Sequence, residues 1–226
     1  MRKTVQIKEV IEKEYPELAL KPYQYDQIDE YLSLLQQWNK KINLTAIRQY
    51  EEMLVKHVLD SIVVFSRNCS FLTFPASIID IGSGAGLPGL IICMVQPEFN
   101  ITSVDKVEKK ITFQQICKSK LQLNRFNPIL GRIEDLINQV EYKNNYDYII
   151  SRAFTQIQFL LFYGIRLLKA SGKIVLWKGG KWQEEYNKVS EEIKKQFYPP
   201  EVFSYQFNKI GGKLLCFTLK TAHPLK

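Results

Sequence analysis

The chain has 226 residues, 46% hydrophobic and 24% charged. That suits one full α/β domain with a modest extension, and it excludes a largely disordered chain. Lys and Arg number 31 against 23 Asp and Glu, a formal net charge of +8 that fits a polyanionic partner without choosing one.

The first elements in chain order read as helical. Ile28, Tyr31, Leu32, Leu35 and Trp38 follow helical spacing, and Met53, Leu54, Val58, Ile62 and Phe65 do the same. A polar turn from Asn39 through Asn43 to Thr45 separates them. The segment 67–75 is expected to join a second architecture, which divides the chain into a helical extension, 1–70, and a larger domain, 71–226. From residue 77 strands and helices alternate. Strands are expected at 77–81, 100–104, 127–131, 146–151 and 173–177. Helices are expected at 87–96, 106–123, from Glu134, and at 156–169 and 182–197. The end, 203–208 and 214–219 around Gly211 and Gly212, reads as an antiparallel hairpin. The alternation predicts a mostly parallel sheet covered on both faces.

The N-terminus carries no apolar leader segment, and no apolar run approaches a bilayer span. Cys69, Cys93, Cys117 and Cys216 stand apart without a Cys-x-x-Cys pair, and His57 and His223 supply little for a metal centre. Free thiols in a cytoplasmic protein, with no metal and no membrane partner, are expected.

Asp80-Ile-Gly82-Ser-Gly84-Ala-Gly86-Leu87-Pro-Gly89 joins the first expected strand to its helix. Glycines allow sharp turns and close ligand approach. Gly84-x-Gly86-x-x-Gly89 also matches the dinucleotide fingerprint, and a tight turn without a ligand is the plain alternative. The strand-ending Asp80 favours a ligand with an ammonium group, such as S-adenosylmethionine, over a pyrophosphate. Asp105 after the second strand suits ribose hydroxyls or a helix N-cap. Gly131-Arg132-Ile133-Glu134 after the third strand suits an adenine edge, or only a helix start.

Arg152 closes the fourth strand at the edge where open α/β sheets bind ligands, and is either a ligand contact or a surface Arg. His57, Asp60 and Ser61 either frame a substrate pocket or dock their helix on the sheet. Asn43 and Thr45 serve a turn or cap, with a lid over the cofactor as the alternative. Between Lys106 and Arg132 lie seven basic residues and one acid, Glu108, which makes Lys109 and Lys110 candidate RNA contacts. Lys178 is a further candidate, with His57.

Taken with Trp38-Asn-Lys-Lys-Ile-Asn-Leu-Thr45, Lys56 through Ser61, Ser151-Arg-Ala-Phe154 and Trp177-Lys-Gly179, the turn resembles the small-subunit ribosomal RNA methyltransferase G family over nearly the whole chain. The resemblance implies a class I S-adenosylmethionine-dependent methyltransferase: a Rossmann-like, mostly parallel seven-stranded sheet with a C-terminal antiparallel hairpin, after a small helical extension. It implies methylation of guanine N7 in the 530-loop region of bacterial 16S rRNA, acting on the rRNA or a small-subunit particle. By motif match it implies Gly82, Leu87, Ile133, Glu134 and Arg152 as cofactor contacts, beside Asp80, Gly84, Gly86 and Asp105, with Arg152 the catalytic candidate. The chain departs from family members that carry Arg where it has Lys213, and Trp177 is unusual. A monomer is expected. A nicotinamide-dependent oxidoreductase and a non-catalytic RNA-binding module are the alternatives.

Overall fold

The computed structural model describes residues 2–69, 71–152, 154–207 and 210–220. In chain order come α1 (Arg2–Glu14) and α2 (Pro22–Asn39), then α3 (Tyr50–Met53). That helix runs on through a π-helical turn, Leu54–Leu59, into α4 (Asp60–Ile62) and a tight turn, Val63–Phe65. The second apolar pattern therefore marks a helix that widens midway. Then follow β1 (Ser77–Ile81), α5 (Gly89–Val95), β2 (Asn100–Asp105), α6 (Glu108–Lys120), β3 (Phe126–Leu130) and α7 (Ile133–Leu136). The remainder is β4 (Tyr146–Arg152), α8 (Ile157–Leu167), β5 (Leu168–Lys178), α9 (Trp182–Asn187), α10 (Glu191–Lys194), β6 (Glu201–Phe207) and β7 (Ile210–Thr218).

The strands form one seven-stranded sheet in the order β3-β2-β1-β4-β5-β7-β6. The five strands β1 to β5 pair in parallel, and β7 runs antiparallel between β5 and β6. This is the arrangement the alternating pattern and the family resemblance imply. The order reverses between β1 and β4, which opens a crevice at the carboxyl ends of the strands.

Side chains alternate across each strand, so the sheet has two cores. Ile78, Ile101, Ile150 and Val175 pack with α1, α2, α5 and α6. Ile79, Ile81, Ile149, Ile174 and Leu176 pack with α7 and α8. The N-terminal helices share the first core: Ile7, Ile11, Ile28 and Leu32 are fully buried in it. Buried Gln24 ties α2 to α5, its Nε2 donating to the carbonyls of Met94 (2.7 Å) and Val95 (2.8 Å). Each such bond contributes about 1 kcal/mol net, and an unpaired amide here would cost more.

Three local expectations change. The helix expected over 182–197 is two short helices, because Val189 turns into the core and the Ser190 hydroxyl caps a new start by accepting from Ile193 N–H. The helix after the glycine turn begins at Gly89 rather than 87, because Pro88 has no N–H to give and the Gly89 N–H is capped by the Asp80 carboxylate. Gly211 and Gly212 lie within β7, opposite Gln206 and Tyr205, not at the hairpin tip. A Cβ on Gly212 would stand 2.5 Å from the Tyr205 hydroxyl, so the missing side chain makes room for that ring. The tip itself, 208–209, lies outside the described residues.

Candidate active site

At the carboxyl ends of the strands lies a cleft open to solvent, with about 330 Å³ of free space in and above it. Ile81 and Gly82 line it from β1, Val104 to Lys106 from β2, Gly131 to Glu134 from the β3–α7 turn, and Phe154 from the segment after β4. Gly82, Asp105, Ile133 and Glu134 are thereby brought together, and Lys106, Arg132 and Phe154 join them.

The glycine turn is built by geometry that only glycine takes freely. Gly82, Gly84 and Gly86 have φ of +71°, +60° and +84°. A Cβ on Gly82 would overlap the Phe154 ring. The turn is also held from outside. Asp105 accepts from Gly84 N–H at 2.9 Å and from Val107 N–H at 3.0 Å, and pairs with Lys110 at 3.5 Å. Buried Gln114 donates to Ser83 Oγ and to Gly84 O, both at 2.9 Å, while accepting from Ser103 Oγ at 2.7 Å. Tyr31 from α2 donates to Ala85 O at 3.1 Å. Gln114 and Tyr31 did not stand out in the sequence, where each reads as a helix position with no motif around it.

Asp80 lies on the face toward α5 and is completely buried. Its Oδ2 accepts from Gly89 N–H at 2.9 Å, fixing the start of α5, while its Oδ1 is buried without a hydrogen-bond partner among the described residues. Burial pushes its pKa up to about 7, against the Gly89 bond and the Arg152 charge, which pull it down. Leu87 sits in the core at 5% exposure and does not line the cleft. Ile133 is buried against the cleft, and Glu134 accepts from Tyr163 Oη at 2.8 Å.

Arg152 does not line the cleft either; it reaches into the π-helical turn. Its Nη1 donates to Lys56 O (3.0 Å) and Asp60 Oδ2 (2.9 Å), and its Nη2 lies 3.4 Å from His57 Nδ1. His57 Nε2 is 3.0 Å from Thr45 Oγ1. Asp60 also accepts from Tyr205 Oη at 2.5 Å, and its carbonyl accepts from Trp177 Nε1 at 2.6 Å. Ser61 Oγ donates to His57 O. The network docks the helix of residues 50–65 on the ends of β4 and β5 and on Tyr205 of β6, and Trp177 and Gly212 gain their reason here. Burial and the Arg152 charge hold the His57 pKa down at about 4, so this ring is neutral near pH 7. Asn43 Oδ1 accepts from Arg48 at 3.0 Å within its turn.

Among the RNA candidates, Lys109 is exposed, whereas Lys110 leans toward Asp105. Lys178 is engaged: its Nζ donates to Thr155 O (3.0 Å) and to both Glu185 carboxylate oxygens (2.8 and 3.0 Å). His57 is buried. The cysteines are buried and free. Among the described residues no group of acids, His and Cys could hold a metal ion, and no helix is long and apolar enough to cross a membrane.

Solved structures show the same architecture at low identity. A precorrin-6y methyltransferase of Geobacter metallireducens superposes with a TM-score of 0.51 at 14% identity, covering 76% of this chain and 90% of that one. A protein of M. jannaschii in complex with AdoMet gives 0.53 at 15% identity, over 68% and 73%. Sequence relatives are closer. The ribosomal RNA small subunit methyltransferase G of Burkholderia lata is 36% identical over 77% of this chain and 76% of its own length. That of Ruthia magnifica is 39% identical over 74% and 78%. The model of the rRNA small subunit methyltransferase G family matches residues 24–209. With that match, on a seven-stranded sheet whose glycine turn opens the cleft, the chain belongs to the rRNA small subunit methyltransferase G family.

Proposed function

We propose that this protein transfers the methyl group of S-adenosylmethionine to N7 of one guanine in 16S rRNA, within the small subunit or its rRNA. The carrying observation is the cleft at the strand-order reversal, lined by Gly82, the first of three left-handed glycines in the turn, in a chain of this family. Family membership sets aside the oxidoreductase and the non-catalytic module.

The residues fit the cofactor. Gly82 lines the cleft with bare backbone, its Cβ position taken by the Phe154 side chain, and Asp80 keeps a buried oxygen without a partner among the described residues. We assign the methionine end to the Gly82–Gly86 turn with Asp80 behind it. The ribose falls to Asp105, whose Oδ1 retains a lone pair after the Val107 bond while Oδ2 faces Gly84 N–H and Lys110, and the adenine to Ile133, Glu134 and the Gly131 backbone. When bound, S-adenosylmethionine supplies an electrophilic methyl on a sulfonium sulfur.

Guanine N7 carries a lone pair and no proton at neutral pH, so the chain need supply no general base. Neutral His57, turned toward Thr45 and Arg152, fits a positioning role. The work left to the protein is alignment, which in favourable models lowers a barrier by roughly 7–11 kcal/mol. Three of the five Arg152 N–H groups are directed to Lys56 O, Asp60 and His57, which fixes the guanidinium and leaves two donors for the base or a phosphate. Lys106 and Arg132, exposed at the cleft, and exposed Lys109 on α6 suit the RNA backbone. We take 1–70 as the part that frames the substrate side, and the working unit as a monomer in the cytoplasm.

Incubation with methyl-labelled S-adenosylmethionine and small subunits lacking the modification tests this reading. Label at one guanine, with cleavage chemistry specific for N7 methylation, is the expected result. Absence of transfer to both rRNA and particles overturns it.

A further inference from the structure

Phe154 has no part in the assignments above, yet its position is unusual. Its side chain is 39% exposed, although it forms one wall of the cleft. The ring rests on Gly82, so closely that only a glycine fits beneath it. It follows Arg152 by two residues, and both flanks of its segment are tied down. Upstream, Ser151 Oγ donates to Ile81 O at 2.8 Å and Arg152 is held by Asp60. Downstream, Lys178 donates to Thr155 O, and Ile157 N–H donates to Glu185. An aromatic side chain kept partly in water at the mouth of a cleft forgoes part of its apolar burial.

We propose that Phe154 is a base-stacking residue: its exposed face receives the target guanine beside the methyl donor. This rests on the methyl-transfer reading above. Sequence-specific RNA enzymes take unpaired bases onto aromatic side chains, whose π faces accept any base and set its plane. The chemistry here adds a second reason for an aromatic ring. The N7 lone pair forms the new bond to the methyl carbon as the carbon–sulfur bond breaks and its electron pair stays on sulfur. The positive charge thus passes from sulfur to the purine. A π face beside the purine attracts that growing charge, which a leucine of similar bulk does not do.

The test compares Phe154→Leu, Phe154→Ala and Phe154→Tyr with the wild type. Three quantities are read: calorimetric affinity for S-adenosylhomocysteine, small-subunit affinity with that product bound, and single-turnover methylation. For Leu and Ala, product affinity should stay within about threefold of wild type. The single-turnover rate at saturating subunits should fall by roughly five- to hundredfold, the range that stacking losses span. Tyr should restore most of it. Leu matching wild type in rate overturns the proposal, as does Tyr failing along with Leu. Loss of product affinity in Leu, in parallel with rate, also overturns it, because Phe154 would then serve only the cofactor wall. A wild-type enzyme that methylates nothing would instead refute the underlying reading, which separates the two failures.

Discussion

Replacing Gly82 by alanine places two separable penalties on one atom. The backbone there has φ of +71°, and an L-residue in the left-handed region costs about 1–2 kcal/mol. The added methyl also overlaps the Phe154 side chain. The ring is partly exposed, but the Phe154 Cβ would stand 2.6 Å from the new methyl and belongs to a segment tied on both flanks, so the overlap should cost about 1–3 kcal/mol. The sum, about 2–5 kcal/mol, lowers the melting temperature by roughly 4–20 °C in a chain of this length. The double variant Gly82→Ala/Phe154→Ala should recover the part of the overlap due to the ring, but neither the contact with the Cβ of residue 154 nor the backbone strain. A double-mutant cycle in urea should therefore return a coupling of about 1 kcal/mol. Calorimetry of the folded Gly82→Ala protein should show strongly weakened S-adenosylmethionine binding. A stability within about 0.5 kcal/mol of wild type, as for an ordinary surface change, would refute the strain argument. Unchanged cofactor affinity would refute the assignment of the turn.

Asp80 holds its proton up to about pH 7 when folded, well above an ordinary carboxyl, so the stability it contributes is fully present below about pH 4 and lost as pH rises to about 7. Asp80→Asn should flatten the pH dependence of the unfolding midpoint across that window. It should also remove the rise in S-adenosylhomocysteine affinity expected for wild type between pH 6 and 8; a wild-type affinity that is level with pH argues against a charged Asp80 meeting the ligand's ammonium. Reversing Lys109 to glutamate, leaving Lys106 on the cleft and Lys110 beside Asp105, should weaken subunit binding and reduce the salt slope by about 1, with cofactor affinity unchanged. An unaltered slope would place the RNA elsewhere. Arg152→Lys keeps the charge but loses the fork that spans Lys56 O, Asp60 and His57, so single-turnover methylation should drop at least tenfold in a protein that still folds. Its pH–rate profile, like the wild type's, should be level from about pH 6.5 to 8.5, because His57, with its pKa held down near 4, stays neutral there. A tenfold rise per pH unit near neutrality that vanishes in His57→Ala would make His57 a titrating base instead.

Local chemistry alone carried the parallel sheet, its glycine turn and the region of the cleft. Alternating apolar strands and helices admit few topologies, and Gly82, Gly84 and Gly86 in a row announce a backbone that side chains would forbid. Asp105, Ile133 and Glu134 were legible because each follows a strand end, and strand ends in such sheets meet at one edge. What sequence spacing could not show was which distant groups meet. Arg152 and Asp60 are 92 residues apart, Trp177 and Asp60 are 117, and Tyr205 and Asp60 are 145; only the stacking of the N-terminal helix on the sheet joins them. The same packing decided that Leu87 belongs to the core and that Lys178 is spent on Thr155 and Glu185. It also brought Phe154 onto Gly82, 72 positions along the chain, where the absence of a side chain is the only feature that lets the ring lie. A motif specifies the conformation of its own few residues, whereas partners across the sheet are chosen by burial and hydrogen-bond satisfaction over the whole fold.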